Sequence, residues 1–218
     1  MSASALKSNN GRSKRIGIDF DNTIVGYDDI FVEVARREGL VAPGFSGNKQ
    51  ALRDAVRQTA NGELAWQRLQ GRVYGAEIAS AVMFEGVDAF LQRCRDAGAE
   101  VFIVSHKTEF GHHDPARINL RKAAAEWMTT RGFFRPDGFG IPAAGLFFES
   151  SRQEKIDRIA ALQCSHFIDD LEEVLCDPAF PSDVTRILFA QQVNGAAAEV
   201  VWCKTWREIT EAVFGERG

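Results

Sequence analysis

Two hydrophobic rhythms alternate along the chain. Short apolar runs bounded by polar or turn residues predict strands in the run from Arg15 that holds Ile16, Ile18 and Phe20 and ends in Asp19 and Asp21, and at Glu100 to Val104, Leu146 to Glu149, Ser165 to Ile168, Thr185 to Phe189 and Val200 to Trp202. Between them, apolar residues three and four apart predict helices. One carries Val87, Phe90, Leu91 and Cys94 and closes near Gly98, and another carries Leu120, Ala124, Trp127 and Met128 and stops at Gly132. Asp114-Pro115 reads as the N-cap and first helical residue of that second helix. Ser151-x-x-Glu154 and Thr205-x-x-Glu208 are capping boxes, opening helices with Ile156, Ile159 and Ala160, and with Trp206, Ile209 and Val213, on their inner faces.

From Tyr27 to about Phe84 the rhythm is helical throughout, with no convincing strand. Ile30, Phe31 and Val34 suit one helix that Gly39 stops; Leu52, Ala55 and Val56 suit a second, and Trp66, Leu69 and Val73 a third. This predicts an α/β fold, a doubly wound parallel sheet, with an all-helical insertion. The expected division is a disordered leader over 1–13, a core of 14–26 and 85–218, and the helical insertion over 27–84.

Ligands in such sheets bind beyond the carboxyl ends of the strands. Asp19 and Asp21, in Arg15-Ile16-Gly17-Ile18-Asp19-Phe20-Asp21-Asn22-Thr23-Ile24, stand at a strand end and project to one side. At ~4 Å and an effective dielectric of ~20 their repulsion is on the order of 4 kcal/mol, which calls for a cation, a shared proton or full solvation. A hard divalent metal meets that demand, and so does a solvated turn, since Asp-Asn-Thr is ordinary turn chemistry. Past two other strands come Ser105 and the pair Asp169-Asp170, with Lys155 on a helix between them. Singly, these residues have bland readings: Ser105 a turn residue, Lys155 a solvated lysine, Asp169-Asp170 the cap of a helix holding Leu171, Val174 and Leu175.

Taken in order, Asp19-x-Asp21-x-Thr23, Ser105, Lys155 and Asp169-Asp170 resemble the four motifs of the haloacid dehalogenase (HAD) superfamily, over most of the chain from Arg15 onward. The resemblance implies a HAD-like Rossmannoid core, with the insertion falling where the family places its helical C1 cap. It implies a Mg²⁺-dependent phosphatase in which Asp19 is the nucleophile and Asp21 the proton shuttle. The catalytic set would be Asp19, Asp21, Ser105 and Lys155. Mg²⁺ would lie on Asp19, the backbone carbonyl of Asp21, Asp169 and Asp170. Thr23, Ser105, His106, Lys107 and Lys155 would bind substrate or its phosphoryl group. An acid at position 21 sets the chain apart from the dehalogenase branch, which lacks one there. Ile168 before Asp169-Asp170 departs from the commoner Gly-Asp form and leaves open which aspartate meets the metal.

Three of the four histidines lie in Ser105-His106-Lys107-Thr108-Glu109-Phe110-Gly111-His112-His113-Asp114, a candidate recognition loop for an anionic or hydroxyl-rich leaving group. Tyr27, Asp28, Arg68 and Arg72 are candidate contacts from the insertion. Cys94, Cys164, Cys176 and Cys203 form no C-x-x-C pair, so they read as reduced thiols and not as a zinc site.

The 218 residues are 45% hydrophobic and 26% charged, which suits a soluble globular protein with a full core. A net charge of −4 supplies no basic footprint, so nucleic acid is not an expected partner, and no apolar run is long enough for a membrane span. The first residues lack the apolar region of a secretory signal, which places the expected protein in the cytoplasm. The expected partner is a small phosphoester. A phosphotransferase or mutase, or a non-catalytic metabolite-binding protein on the same scaffold, are the alternatives; substrate identity and oligomeric state are not legible.

Overall fold

A computed structural model describes residues 13–192 and 199–215, so the expected leader lies outside the described residues except for Ser13. Its first strand, β1 (Arg15–Ile18), is followed by the two-residue β2 (Val25–Gly26), then by helices α1 (Asp28–Arg37), α2 (Lys49–Arg57) and α3 (Gly62–Tyr74), and by β3 (Val82–Met83). The remainder alternates: α4 (Val87–Asp96), β4 (Glu100–His106), α5 (Leu120–Thr130), β5 (Leu146–Glu149), α6 (Arg152–Ala161), β6 (His166–Asp169), α7 (Glu172–Leu175), β7 (Thr185–Phe189), β8 (Val200–Cys203) and α8 (Trp206–Phe214).

Among the described residues, six strands form one sheet in the order β5-β4-β1-β6-β7-β8, with every neighbouring pair parallel. This is the doubly wound α/β class that the alternating rhythm predicts. Successive side chains point to opposite faces, and both faces are covered. Ile103, Ile168 and Ile187 join the larger buried cluster with helices α4, α5 and α8. Their neighbours Val104, Phe167 and Leu188 join a second cluster with Ile156 and Ile159 of α6. Gly17 on β1 pairs with Phe102 on one side and Phe167 on the other; a Cβ there would lie 2.5 Å from the Phe167 ring, so only glycine lets that ring lie over the central strand.

The chain winds outward from β1 through β4 to β5, then returns along α6 to β6 on the opposite side of β1. That reversal opens a crevice beyond the carboxyl ends of β1, β4 and β6, where ligands bind in open α/β sheets.

Helices α1 to α3 pack on one another around Phe31, Leu52, Val56, Trp66, Leu69 and Val73, with Phe31 stacked on Trp66 at 5.3 Å between ring centroids. Where this segment leaves and rejoins the core, β2 and β3 pair antiparallel. The short β3 corrects the expectation of no strand before Phe84: two residues are too few for a period to show. A second correction concerns Asp114-Pro115. The Asp114 side chain accepts from the Ala116 N–H at 3.1 Å and closes a turn, with His113 and Arg117 at positive φ; α5 starts later, where Asn119 accepts from the Lys122 N–H at 2.9 Å. The local side-chain bond of Asp114 competes with the helix it was expected to cap. Among the described residues, no helix is long and apolar enough to cross a membrane.

Candidate active site

The end of β1 is fixed by its neighbour and by the turn that follows. Asp19 donates its N–H to the Ile168 carbonyl at 2.9 Å; Ile24 and Val25 then donate to the Phe20 carbonyl at 3.0 and 3.2 Å, with Asn22 in the left-handed region. The tight loop keeps Asp19 and Asp21 at the mouth of the crevice.

Lys155 reaches the same place because the capping box of Ser151 and Glu154 starts α6 next to it. Its Nζ donates to Asp19 Oδ1 and to Asp169 Oδ2, both at 2.7 Å, and the side chain is almost wholly buried. Asp169, at 0% exposure, also accepts from the Leu171 N–H through Oδ1 at 3.0 Å. The Thr23 hydroxyl, buried, lies 3.5 Å from Asp19 Oδ2 and 3.4 Å from Asp170 Oδ1, within reach of either carboxylate. The Ser105 Oγ, at the end of β4, is buried and has no hydrogen-bond partner among the described residues, a hydroxyl that costs stability unless a ligand satisfies it.

Electrostatics follow from this crowding. Burial pushes the Asp19 carboxyl up to about 7; the Lys155 charge pulls it down, while the negative charges of Asp169 and Asp21 add to the rise. Asp170 is raised well above the usual carboxylate range by burial and then by Asp19 and Asp169. Burial disfavours the Lys155 cation, yet Asp169 and Asp19 together hold it above the ordinary lysine range. Both members of the Asp19–Lys155 pair are thus raised. One ammonium is shared among several carboxylates, so it stays charged while they remain in excess.

Asp19, Asp169 and Asp170 can each offer one oxygen within 4.8 Å of the others. An oxygen-only donor set in surplus negative charge is the chemistry of a hard divalent cation, and these residues fit one.

Asp21 is held by other elements. Lys107 Nζ donates to its Oδ1 at 2.9 Å and its Oδ2 at 2.7 Å, and the Tyr27 hydroxyl donates to Oδ1 at 2.6 Å. The Lys107 ammonium lies over the rings of Tyr74 and Phe20, 5.0 and 5.7 Å from their centroids. Behind it, Lys49 donates to the Tyr74 hydroxyl at 2.6 Å, and burial lowers its pKa against the pull of Asp21 and Asp170. A cavity of about 470 Å³ opens beside these groups, lined by Asp19, Asp21, Asn22, His106, Lys155 and Asp170 among others.

The crevice therefore brings together Asp19, Asp21, Thr23, Lys107, Lys155, Asp169 and Asp170 from the sequence-based set, and Ser105 lies at the end of the adjacent strand β4. His106 is at the rim, exposed, with Nε2 3.1 Å from the Ser150 carbonyl oxygen. His112 and His113 are exposed. Of the insertion candidates, Tyr27 reaches the site; Asp28 and Arg68 are exposed, and Arg72 pairs with Glu38 within the insertion. Sequence reasoning missed Tyr74 and Lys49. A signal existed for Tyr74: the chain has two tyrosines, and they flank the three helices, Tyr27 just before α1 and Tyr74 at the end of α3. Nothing marks Lys49 apart from other lysines at a helix start.

No protein-family model matches the sequence, and no curated protein does. Solved structures do. A HAD-superfamily hydrolase of subfamily IA, variant 1, from Geobacter sulfurreducens superposes with a TM-score of 0.57 at 16% identity, over 94% of this chain and 99% of that one. A HAD family hydrolase from Deinococcus radiodurans with bound phosphate and sodium gives 0.56 at 16% identity, over 92% and 95%. A predicted phosphoglycolate phosphatase from Haemophilus somnus gives 0.55 at 12% identity, over 92% and 98%. The fold of this chain is that of the HAD-like hydrolases, as the order of its motifs leads one to expect.

Proposed function

We propose that the protein is a cytoplasmic phosphatase of the HAD superfamily that hydrolyses a small phosphorylated metabolite through an aspartyl-phosphate on Asp19. The observation that carries this is the convergence on Asp19 of Lys155, shared with Asp169, and of the Thr23 hydroxyl, with Asp21 two residues on and Ser105 at the end of the adjacent strand β4 of a HAD-like sheet.

In this reading the phosphoryl group enters between Asp19 and Ser105. The Ser105 hydroxyl donates to a phosphoryl oxygen and gains the partner it lacks, and Lys155 offsets the charge while holding Asp19 Oδ1. The Asp19 carboxylate attacks phosphorus as the bond to the leaving oxygen breaks, and Asp21 gives that oxygen a proton. Asp21 then takes a proton from a water that attacks the aspartyl-phosphate, which releases phosphate and restores Asp19. Asp19, the Asp21 backbone carbonyl, Asp169 and Asp170 would hold Mg²⁺, which when bound supplies positive charge to the phosphoryl oxygens. The helices over 27–84 act as a cap that excludes water and contributes to substrate choice.

Hydrolysis of p-nitrophenyl phosphate in Mg²⁺ tests the reading. The wild type turns over, chelation by EDTA abolishes turnover, and Asp19→Asn abolishes it with the fold intact by circular dichroism. Substantial turnover by Asp19→Asn, or turnover undiminished in EDTA, rejects the mechanism.

A further inference from the structure

The carboxylate of Asp21 offers four lone-pair positions to donors. Three are filled: Oδ1 accepts from Lys107 and from Tyr27, and Oδ2 accepts from Lys107. Among the described residues one remains, on Oδ2, and Asp21 lines the cavity. Resting on the phosphatase reading above, we propose that Lys107 and Tyr27 are positioning residues that clamp Asp21, so that its Oδ2 is the atom that carries the proton to the leaving oxygen.

The placement of Lys107 speaks against the role in phosphoryl binding that its position after β4 invites. Its backbone is pinned on both sides: its N–H donates to the Glu149 carbonyl at 3.0 Å, and its own carbonyl accepts from Arg121 Nε at 2.8 Å. The side chain is 4% exposed, and the ammonium is boxed by Asp21 and by the faces of Tyr74 and Phe20. Its Nζ is within hydrogen-bond distance of both Asp21 oxygens, and the two aromatic rings add cation–π contacts. Tyr27 is placed as firmly, buried at the entrance of α1 with its ring edge-to-face on Tyr74 at 4.9 Å. A carboxylate held this way has one orientation.

The proton balance is simple. As the Asp19–phosphorus bond forms and the bond to the leaving oxygen breaks, the proton on Asp21 Oδ2 moves to that oxygen. In the second half, water attacks phosphorus, its proton returns to Oδ2, and the Asp19–phosphorus bond breaks.

A leaving-group series separates clamping from phosphoryl binding. kcat/KM reports the first half-reaction, and esters with poor leaving groups need the proton more than p-nitrophenyl phosphate does. The test measures kcat/KM for p-nitrophenyl, phenyl and simple alkyl phosphates with the wild type, Lys107→Met and Tyr27→Phe, all in Mg²⁺. The expected result for Lys107→Met is a loss on the alkyl ester at least roughly tenfold greater than on p-nitrophenyl phosphate, since general acid catalysis contributes ~10²–10⁴-fold. Tyr27→Phe, which keeps the ring and removes one donor, shows the same pattern with a smaller ratio. Losses equal across the series, or none, overturn the proposal, because a phosphoryl ligand or a purely structural residue affects all esters alike. A wild type that hydrolyses none of the esters strikes the phosphatase reading itself and the clamp with it.

Discussion

The two carboxylates of the first motif are held in different ways. Asp19 sits in a group drawn from the sheet and its flanking helix: Asp169 from β6 and Lys155 from the first turn of α6, all almost fully buried. Asp21 is partly exposed and is held by Lys107, just past β4, and by Tyr27 at the start of the helical insertion, with Tyr74 and Lys49 from further along the insertion packed behind. The first group is tied to the core alone, and the second depends on the insertion being seated. In the proposed chemistry the difference assigns the nucleophile to residues of the sheet and α6, and the proton shuttle to a carboxylate held in part by the helical segment.

The largest effect that can break this comparison is expected at Lys155. Lys155→Met removes the cation shared by Asp19 and Asp169, and a stranded buried carboxylate costs about 3–5 kcal/mol. Thermal and urea melts should show that loss, along with a fall in kcat of roughly 10²–10³-fold from the missing charge stabilisation. If Lys155→Met is tolerated and Lys107→Met unfolds the protein, the rigid and the dependent half have been assigned the wrong way round.

A smaller effect comes from pH. Asp19 lies at about 7 against an ordinary 3.8, so between those values the folded state holds the proton that the unfolded state releases. Its contribution to stability is therefore greatest at low pH and declines as pH rises through the window, by on the order of a few kcal/mol. His166, lowered to about 4 by burial and then by the Lys14 charge, slopes the opposite way. Comparison with Asp19→Asn cancels it. In EDTA, the stability of the wild type relative to Asp19→Asn should fall between about pH 5 and pH 7.5, and Mg²⁺ should restore it at the higher pH. A relative stability that is flat or rising over that range contradicts the buried, cation-seeking state of Asp19.

The smallest effect concerns how the insertion is seated. Gly71 of α3 lies against the segment after β4, where a Cβ would come within 2.7 Å of the Asp114 Cβ. Gly71→Ala should destabilise by about 1–3 kcal/mol in urea melts, despite the better helix propensity of alanine. A stabilised variant would mean that the insertion is not held there.

The same comparison explains what was legible in the sequence. Residues at strand ends can be read from it, because a period of two fixes the face and the winding of the sheet fixes which ends meet; Asp19, Ser105 and Asp169 are of this kind. The capping box places Lys155 in the first turn of a helix, but alone it reads as a solvated lysine, and its place in the site was legible only from the order of the motifs. The surroundings of Asp21 were only half legible: Tyr27 and Lys107 could be named, but their shared attachment to one carboxylate depends on how helices of the insertion lie against the core, which no periodicity specifies. Lys49 is invisible for the same reason. The helix start expected at Asp114-Pro115 failed where a local side-chain bond made a turn instead, so that the expected helix begins only at Leu120, and β3 was too short to announce itself.

The central claim is a covalent bond to Asp19, and the Asp21→Asn variant is where to look for it. That variant lacks the proposed base for the second half-reaction, so p-nitrophenyl phosphate, whose leaving group needs little help, should phosphorylate Asp19 and stop. After acid quench, mass spectrometry of the peptide spanning Arg15 to Tyr27 should show one added phosphoryl group on Asp19, absent when Asp19 is also changed to asparagine. Release of p-nitrophenol by the variant with that peptide unmodified throughout turnover would contradict the account.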